Sequence, residues 1–127
     1  MNWYWLVLFL FPFVSIAQQD IQEMVFLRVE DPPKFVGGED SLRNFIKRHL
    51  KYPEEARKEQ ISGKVELQFI VEKDGTITNA EVIWALRHGC DEEALRVMKL
   101  MPKWKPGKQS GRAVRVKFIM PIVFALE

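Results

Sequence analysis

The sequence predicts an α+β domain, a small antiparallel sheet of about three strands with two or three helices on one face. Three observations carry this expectation. Val65, Leu67, Phe69 and Val71 alternate with Glu66, Gln68, Ile70 and Glu72, the pattern of a half-buried strand, and Asp74-Gly75 beyond them is a hairpin signal. Near the end of the chain, Val114, Val116, Phe118 and Met120 alternate in the same way with Arg115, Lys117 and Ile119. Elsewhere apolar residues recur at helical spacing, as in Leu42, Phe45, Ile46, His49 and Leu50.

The elements follow in order. Residues 1–17 carry no charged side chain, and Trp3 to Val14 forms an apolar block of export-signal length ending near Ser15-Ile16-Ala17. As a helix, Trp3 to Ala17 would reach only about 22 Å, short of a ~30 Å hydrocarbon core. The expectation is a cleaved signal and a periplasmic protein. The alternatives are a short retained anchor, which would hold the domain at the inner membrane facing the periplasm, and a buried core helix. No Lys or Arg precedes the block, and no cysteine near Ala17 supports lipid anchoring.

Residues 18–31 read as an extended arm, with Val25, Leu27 and Val29 alternating as a short strand would. The domain is placed at residues 32–127. Pro32-Pro33 and Gly37-Gly38 break the chain before the first helix, which carries Arg43, Lys47 and Arg48 outward and stops before Tyr52-Pro53. Pro53 suits the first position of a second helix, with Glu54 and Glu55 at its positive end, and Gly63 closes that unit. The hairpin's return strand runs from about Ile77 to Trp84. Asp91 can cap a third helix whose buried stripe is Ala94, Leu95, Met98 and Met101, ended by Pro102. Trp104, held between Pro102 and Pro106-Gly107, locks the corner into the last strand.

With 127 residues there is room for one domain, and 47% hydrophobic content is ordinary for a globular chain. The net charge of +2 is unevenly spread: residues 18–93 hold eleven bases and sixteen acids, while residues 94–127 hold eight bases and one acid. Such asymmetry favours an acidic partner or an anionic surface, such as phospholipid or lipopolysaccharide, against the plainer reading of a lysine-blunted sheet edge. Cys90 is the only cysteine, so no intrachain disulfide can form.

Catalytic and metal chemistry find no arrangement. His88 and Cys90 supply too few ligands for a tetrahedral site. Glu92 and Glu93 diverge on a helix and are accounted for by its first turn. No nucleophile sits beside a base, no cofactor loop is present, and Trp104 between two lysines is better explained as a corner than as a base-stacking platform. Neither an enzyme nor a nucleic-acid binder is expected.

Four runs, in order, resemble the carboxy-terminal domain of the TonB family of Gram-negative energy transducers. They are Pro33-Lys34-Phe35-Val36-Gly37-Gly38, Leu50 to Ala56 around Tyr52-Pro53, Val71 to Ile77 around Asp74-Gly75, and Asp91 to Leu95 followed by Trp104 to Lys108. Val36 stands where the family usually has proline. The resemblance implies a periplasmic module whose last strand pairs with a short extended segment, the TonB box, of an outer-membrane transporter. Carried over by position, Arg112, Ala113, Val114, Arg115, Val116, Lys117 and Phe118 form the pairing strand. Trp104, Pro106 and Gly107 form the corner before it, and Tyr52 and Pro53 lie near the bound peptide.

The reading of the residues agrees. Main-chain bonds would supply affinity and alternate side chains selectivity, with the cationic Arg112, Arg115 and Lys117 favouring acidic positions. The same edge could pair two copies into a homodimer, and residues 1–17 could add membrane association. No membrane-helix histidine and no proline-rich spacer precede the domain, so a free-standing adaptor is expected rather than a complete motor arm. The alternative is a structural or regulatory interaction domain that kept the fold without energy transduction.

Overall fold

The computed structural model describes residues 24–126, so the expected export segment and the first six residues of the arm, 18–23, lie outside the described residues. The elements run β1 (Val25–Phe26), α1 (Glu39–His49), α2 (Glu54–Lys58), β2 (Gly63–Val71), β3 (Ile77–Trp84), α3 (Cys90–Lys99), β4 (Gly107–Gln109) and β5 (Arg112–Phe124). The α+β expectation holds. The sheet has more strands than expected, because two short ones flank the long core of β5, β2 and β3.

The strand order is β1-β5-β2-β3, with β4 pairing β5 off that path. β2 pairs antiparallel with β5 in unbroken register from Gly63↔Phe124 to Val71↔Val116. The hairpin to β3 forms around Asp74-Gly75, where the Asp74 Oδ1 accepts hydrogen bonds from the Thr76 N–H (3.0 Å) and hydroxyl (2.6 Å). β4 and β5 form a second hairpin, Gly107↔Val114 to Gln109↔Arg112, which the sequence reading had treated as turn residues.

The two-residue periodicity sends Val65, Leu67, Phe69 and Val71 of β2 and Val116, Met120, Ile122 and Phe124 of β5 to one face, all buried. Ala94 and Met98 of α3 and Ala56 of α2 close over that face, with half-buried Leu42, Phe45 and Ile46 of α1 packed at its margin. Trp104 sits 3% exposed among Phe35, Phe69 and Phe118, with ring centroids 5.5–5.7 Å away.

Helix starts differ from the expectations in detail. α3 begins at Cys90 with Gly89 as its N-cap, while Asp91 turns back and accepts hydrogen bonds from the Leu86 and Arg87 N–H groups. Asp91 therefore shapes the loop before the helix instead of capping it. Pro53 is the N-cap of α2 and not its first helical residue, and Gly63 opens β2.

Candidate functional site

The last strand is the expected acceptor, and its neighbours can be followed residue by residue. Arg112, Ala113 and Val114 are paired in the hairpin with β4. Arg115 and Val116 lie beside β1, which runs parallel to β5 in the register Val25↔Arg115 and Phe26↔Val116. Val116 also faces Val71 of β2, so it has strand neighbours on both sides. From Lys117 and Phe118 onward, β5 pairs with β2 alone, and its opposite flank carries no strand among the described residues. The expected bare edge over Arg112–Phe118 is therefore occupied in its first part, and the free flank runs from Lys117 to Phe124.

Pro121 indicates which groups that flank offers. A proline in a strand has no N–H to give and sits where its nitrogen faces away from a ladder. β2 and β5 pair without interruption across Glu66↔Pro121, so Pro121 directs its backbone to the free flank. By alternation Lys117, Ile119 and Val123 direct their N–H and C=O the same way.

A groove of about 830 Å³ lies along the second half of this strand. Its walls include Ile46, Leu50 and Tyr52 on one side and Pro121, Val123 and Leu126 on the other, with Arg43, Lys47 and Arg57 at its margins. No β2 residue lines it, which puts it on the strand-free flank. Arg43 is held by Asp40 at 2.6 Å, whereas Lys47 and Arg57 have no ion pair among the described residues. The sequence reading placed Lys47 on a helix's outer face and found no role for Arg57. The signal it missed was positional, since only the tertiary fold turns those cations toward the strand.

The loop that leads into the groove is fixed from α3. Glu93 accepts a hydrogen bond from the Lys51 N–H, and Arg96 donates to the His49 carbonyl oxygen at 2.7 Å. Arg96 also forks onto Glu93 at 2.6 and 2.9 Å, and that bond chiefly holds the Glu93 carboxyl below the ordinary carboxylate range. Tyr52 is placed as a result. Its hydroxyl donates to the Ile61 carbonyl, and its ring packs edge-on against Phe124 at 5.8 Å. Of the residues expected near the site, Tyr52 thus lines the groove, while Pro53 starts α2 behind it and touches the Gly89 turn.

The corner residues act at the other end of β5. The Trp104 N–H donates to the Gly75 carbonyl at 2.8 Å, so the β2–β3 turn and the α3–β4 connection are tied together. Pro106 follows, and Gly107 starts β4 with no room for a side chain: a Cβ there would lie 2.7 Å from a Val116 methyl. These residues aim the β4–β5 hairpin and lie away from the groove.

The cationic face of β5 is partly committed. Arg115 donates to both oxygens of Glu72, at 2.7 and 3.2 Å, and Thr78 adds its hydroxyl to the same carboxylate. The Arg115 bond is the main cause of a Glu72 pKa below the ordinary range, working against burial. Arg115 therefore ties β5 to the end of β2. Arg112 is exposed, and Lys117 stands at the start of the strand-free flank.

Other chemistry is thin. Cys90 is fully buried, and burial chiefly raises its pKa, so it is a packed thiol and not a ligand beside His88. His88 Nδ1 instead lies 3.1 Å from Glu59 and 3.5 Å from Glu55, and the three side chains hold ligand-type atoms within 4.8 Å of one another. Both carboxylates are exposed, and exposed acidic groups gathered beside an imidazole need no ion between them.

A family model described as the Gram-negative bacterial TonB protein C-terminal matches residues 48–126. Among solved structures, the chain is similar to the solution structure of the Helicobacter pylori TonB C-terminal domain, with 23% identity and a TM-score of 0.46 over 68% of this chain and 90% of that one. No curated protein matches.

Proposed function

Since the chain belongs to the TonB C-terminal family, we propose that residues 32–127 form a periplasmic binding module that captures an extended peptide by strand addition on β5. The peptide is of the TonB-box type carried by outer-membrane transporters, and the module supports energy-dependent transport as an adaptor. The observation that carries this reading is the strand-free flank of β5 from Lys117 to Phe124, with a cation-rimmed apolar groove along it.

The energetics suit reversible capture. Ile119 and Val123 each offer a donor and an acceptor, and Lys117 and Pro121 an acceptor only, since the parallel pairing with β1 takes the Lys117 N–H. About six main-chain bonds at roughly 0.5–1.5 kcal/mol each, less the several kcal/mol that association costs, give binding in the micromolar range or weaker. Side chains then set preference. Apolar residues of the visitor fit against Ile46, Leu50 and Val123, and an acidic one is drawn to Lys47 and Arg57.

The test is a titration of transporter amino-terminal peptides into the protein while backbone amide signals are followed. Shifts concentrated at residues 117–124 and at Lys47 support the reading. Shifts scattered over α3 and β3, or none at millimolar peptide, refute it.

A further inference from the structure

The flank that would receive a peptide already holds a piece of this chain. β1 lies parallel to β5 on the side away from β2, at Arg115 and Val116, immediately before the strand-free stretch begins. Its pairing ends there, because the chain leaves the sheet at Leu27, which is 73% exposed, and Met24 on the other side is 51% exposed. Four consecutive apolar side chains, Met24-Val25-Phe26-Leu27, thus meet the sheet through only two registered pairs.

The same segment is held far more firmly a few residues later. The Asp31 N–H donates to the Lys108 carbonyl at 3.1 Å and the Lys108 N–H returns to Asp31 at 2.8 Å. Lys34 and Lys105 exchange a similar pair at 3.0 and 2.8 Å, and the Glu30 N–H donates to the Gln109 side chain at 2.9 Å. The chain is pinned at Glu30 and Asp31 to β4 and at Lys34 to Lys105 just before it, and lightly seated on β5 at Val25 and Phe26. Such a segment can lift off without loosening its anchor.

We propose that Met24–Leu27 is a tethered occupant of the β5 flank, an apolar extended segment that competes with any visiting strand long enough to cover Arg115 and Val116. The inference rests on the strand-addition reading and adds a regulator to it. It also describes the visitor: an apolar stretch running parallel to β5, chemically like the segment it displaces. Because the occupant is part of the same chain, it rebinds at a high effective concentration, and a few hydrogen bonds suffice to hold it. An occupant bound in about nine molecules of ten lowers the apparent affinity of a visitor roughly tenfold.

The experiment uses the full chain and a synthetic heptapeptide copying residues 24–30. Phe26→Pro removes a main-chain donor and an aromatic ring from the occupant, and Val25→Pro serves as a second variant should the first fold poorly, as judged by the amide spectrum. The expected result is about tenfold tighter binding of the heptapeptide to the variant, with amide shifts at residues 115–119 in both proteins. Equal affinity for variant and parent, with shifts along β5, overturns the competitor and leaves strand addition standing. No shifts along β5 in either protein at millimolar peptide overturns both.

Discussion

Replacing Gly75 by alanine tests the corner on which the geometry of β5 depends. Gly75 has φ of +89°, and a Cβ built there would stand 2.0 Å from the Trp104 carbonyl oxygen, 3.1 Å from its carbon and 3.2 Å from its nitrogen. The same glycine accepts the Trp104 N–H at 2.8 Å, so the two chains cannot part without stretching that bond. The left-handed conformation costs an alanine about 1–2 kcal/mol. Separating the backbones by roughly 1 Å forfeits a hydrogen bond worth about 0.5–1.5 kcal/mol and disturbs the Trp104 packing, so the total reaches about 2–4 kcal/mol.

Gly111→Ala is the control, because Gly111 has φ of +75° and nothing within 4 Å of the added methyl. It should cost only the conformational part, about 1–2 kcal/mol. Urea unfolding of both variants measures the difference directly. If Gly75→Ala loses no more stability than Gly111→Ala within about 0.5 kcal/mol, the contact between the hairpin turn and the tryptophan corner has been misjudged.

Three further outcomes are expected. Phe69→Ala, which empties the centre of the aromatic cluster, should lower unfolding stability by about 3–5 kcal/mol in the same assay. The carboxyls of Glu72 and Glu93 are held below their ordinary values, so the stability they confer is complete above the unfolded carboxylate range and is lost as pH falls through their depressed folded values. Stability measured from neutral pH down through about pH 4 should therefore decline, and Glu72→Gln should make that decline shallower. Lys47→Glu combined with Arg57→Glu should weaken binding of an acidic peptide at least several-fold while leaving the melting temperature nearly unchanged, as calorimetry and peptide titration would show.

The sheet was legible because its strands carry period-two patterns that only one register satisfies. Val65 to Val71 and Val114 to Met120 each bury one face, and the Asp74-Gly75 turn has the hairpin signature. The flanking prolines also identified Trp104 as a corner, since a large ring between two of them has few other uses. What the pattern could not give was neighbourhood. Nothing local in Arg112-Ala113-Val114 says that Gly107 to Gln109 will pair with it, because three residues beside a glycine read as turn. Nor could the arm's weak alternation show that only Val25 and Phe26 reach the sheet, or that they seat on β5. Arg115 looked available because its salt partner, Glu72, lies 43 positions away in sequence. Lys47 looked like solvated helix surface for the same reason. Periodicity assigns a side chain to a face, whereas the contents of a flank depend on contacts distant in the chain.

The two edges of the sheet are treated differently, and under the proposed strand addition the difference would let the molecule avoid aggregating while keeping one edge receptive. β3 is a long outer strand, but its pairing with β2 is broken by register shifts and Asn79 takes a left-handed conformation at φ of +52°. Such irregularities twist an edge away from flat partners. β5 keeps a regular ladder with β2 along its whole second half, so its flank stays straight enough to template another strand. Its protection is chemical instead: Lys117 puts a charge at the start of the strand-free stretch, and Pro121 removes a donor from the middle. These features weaken indiscriminate pairing with a second copy, yet a visitor that can give up one bond and place an acid near Lys47 is penalised least. An edge protected by distortion would reject every strand alike. Protection by a charge, a missing donor and the proposed occupant would be selective, because a partner of the right chemistry could overcome each of the three.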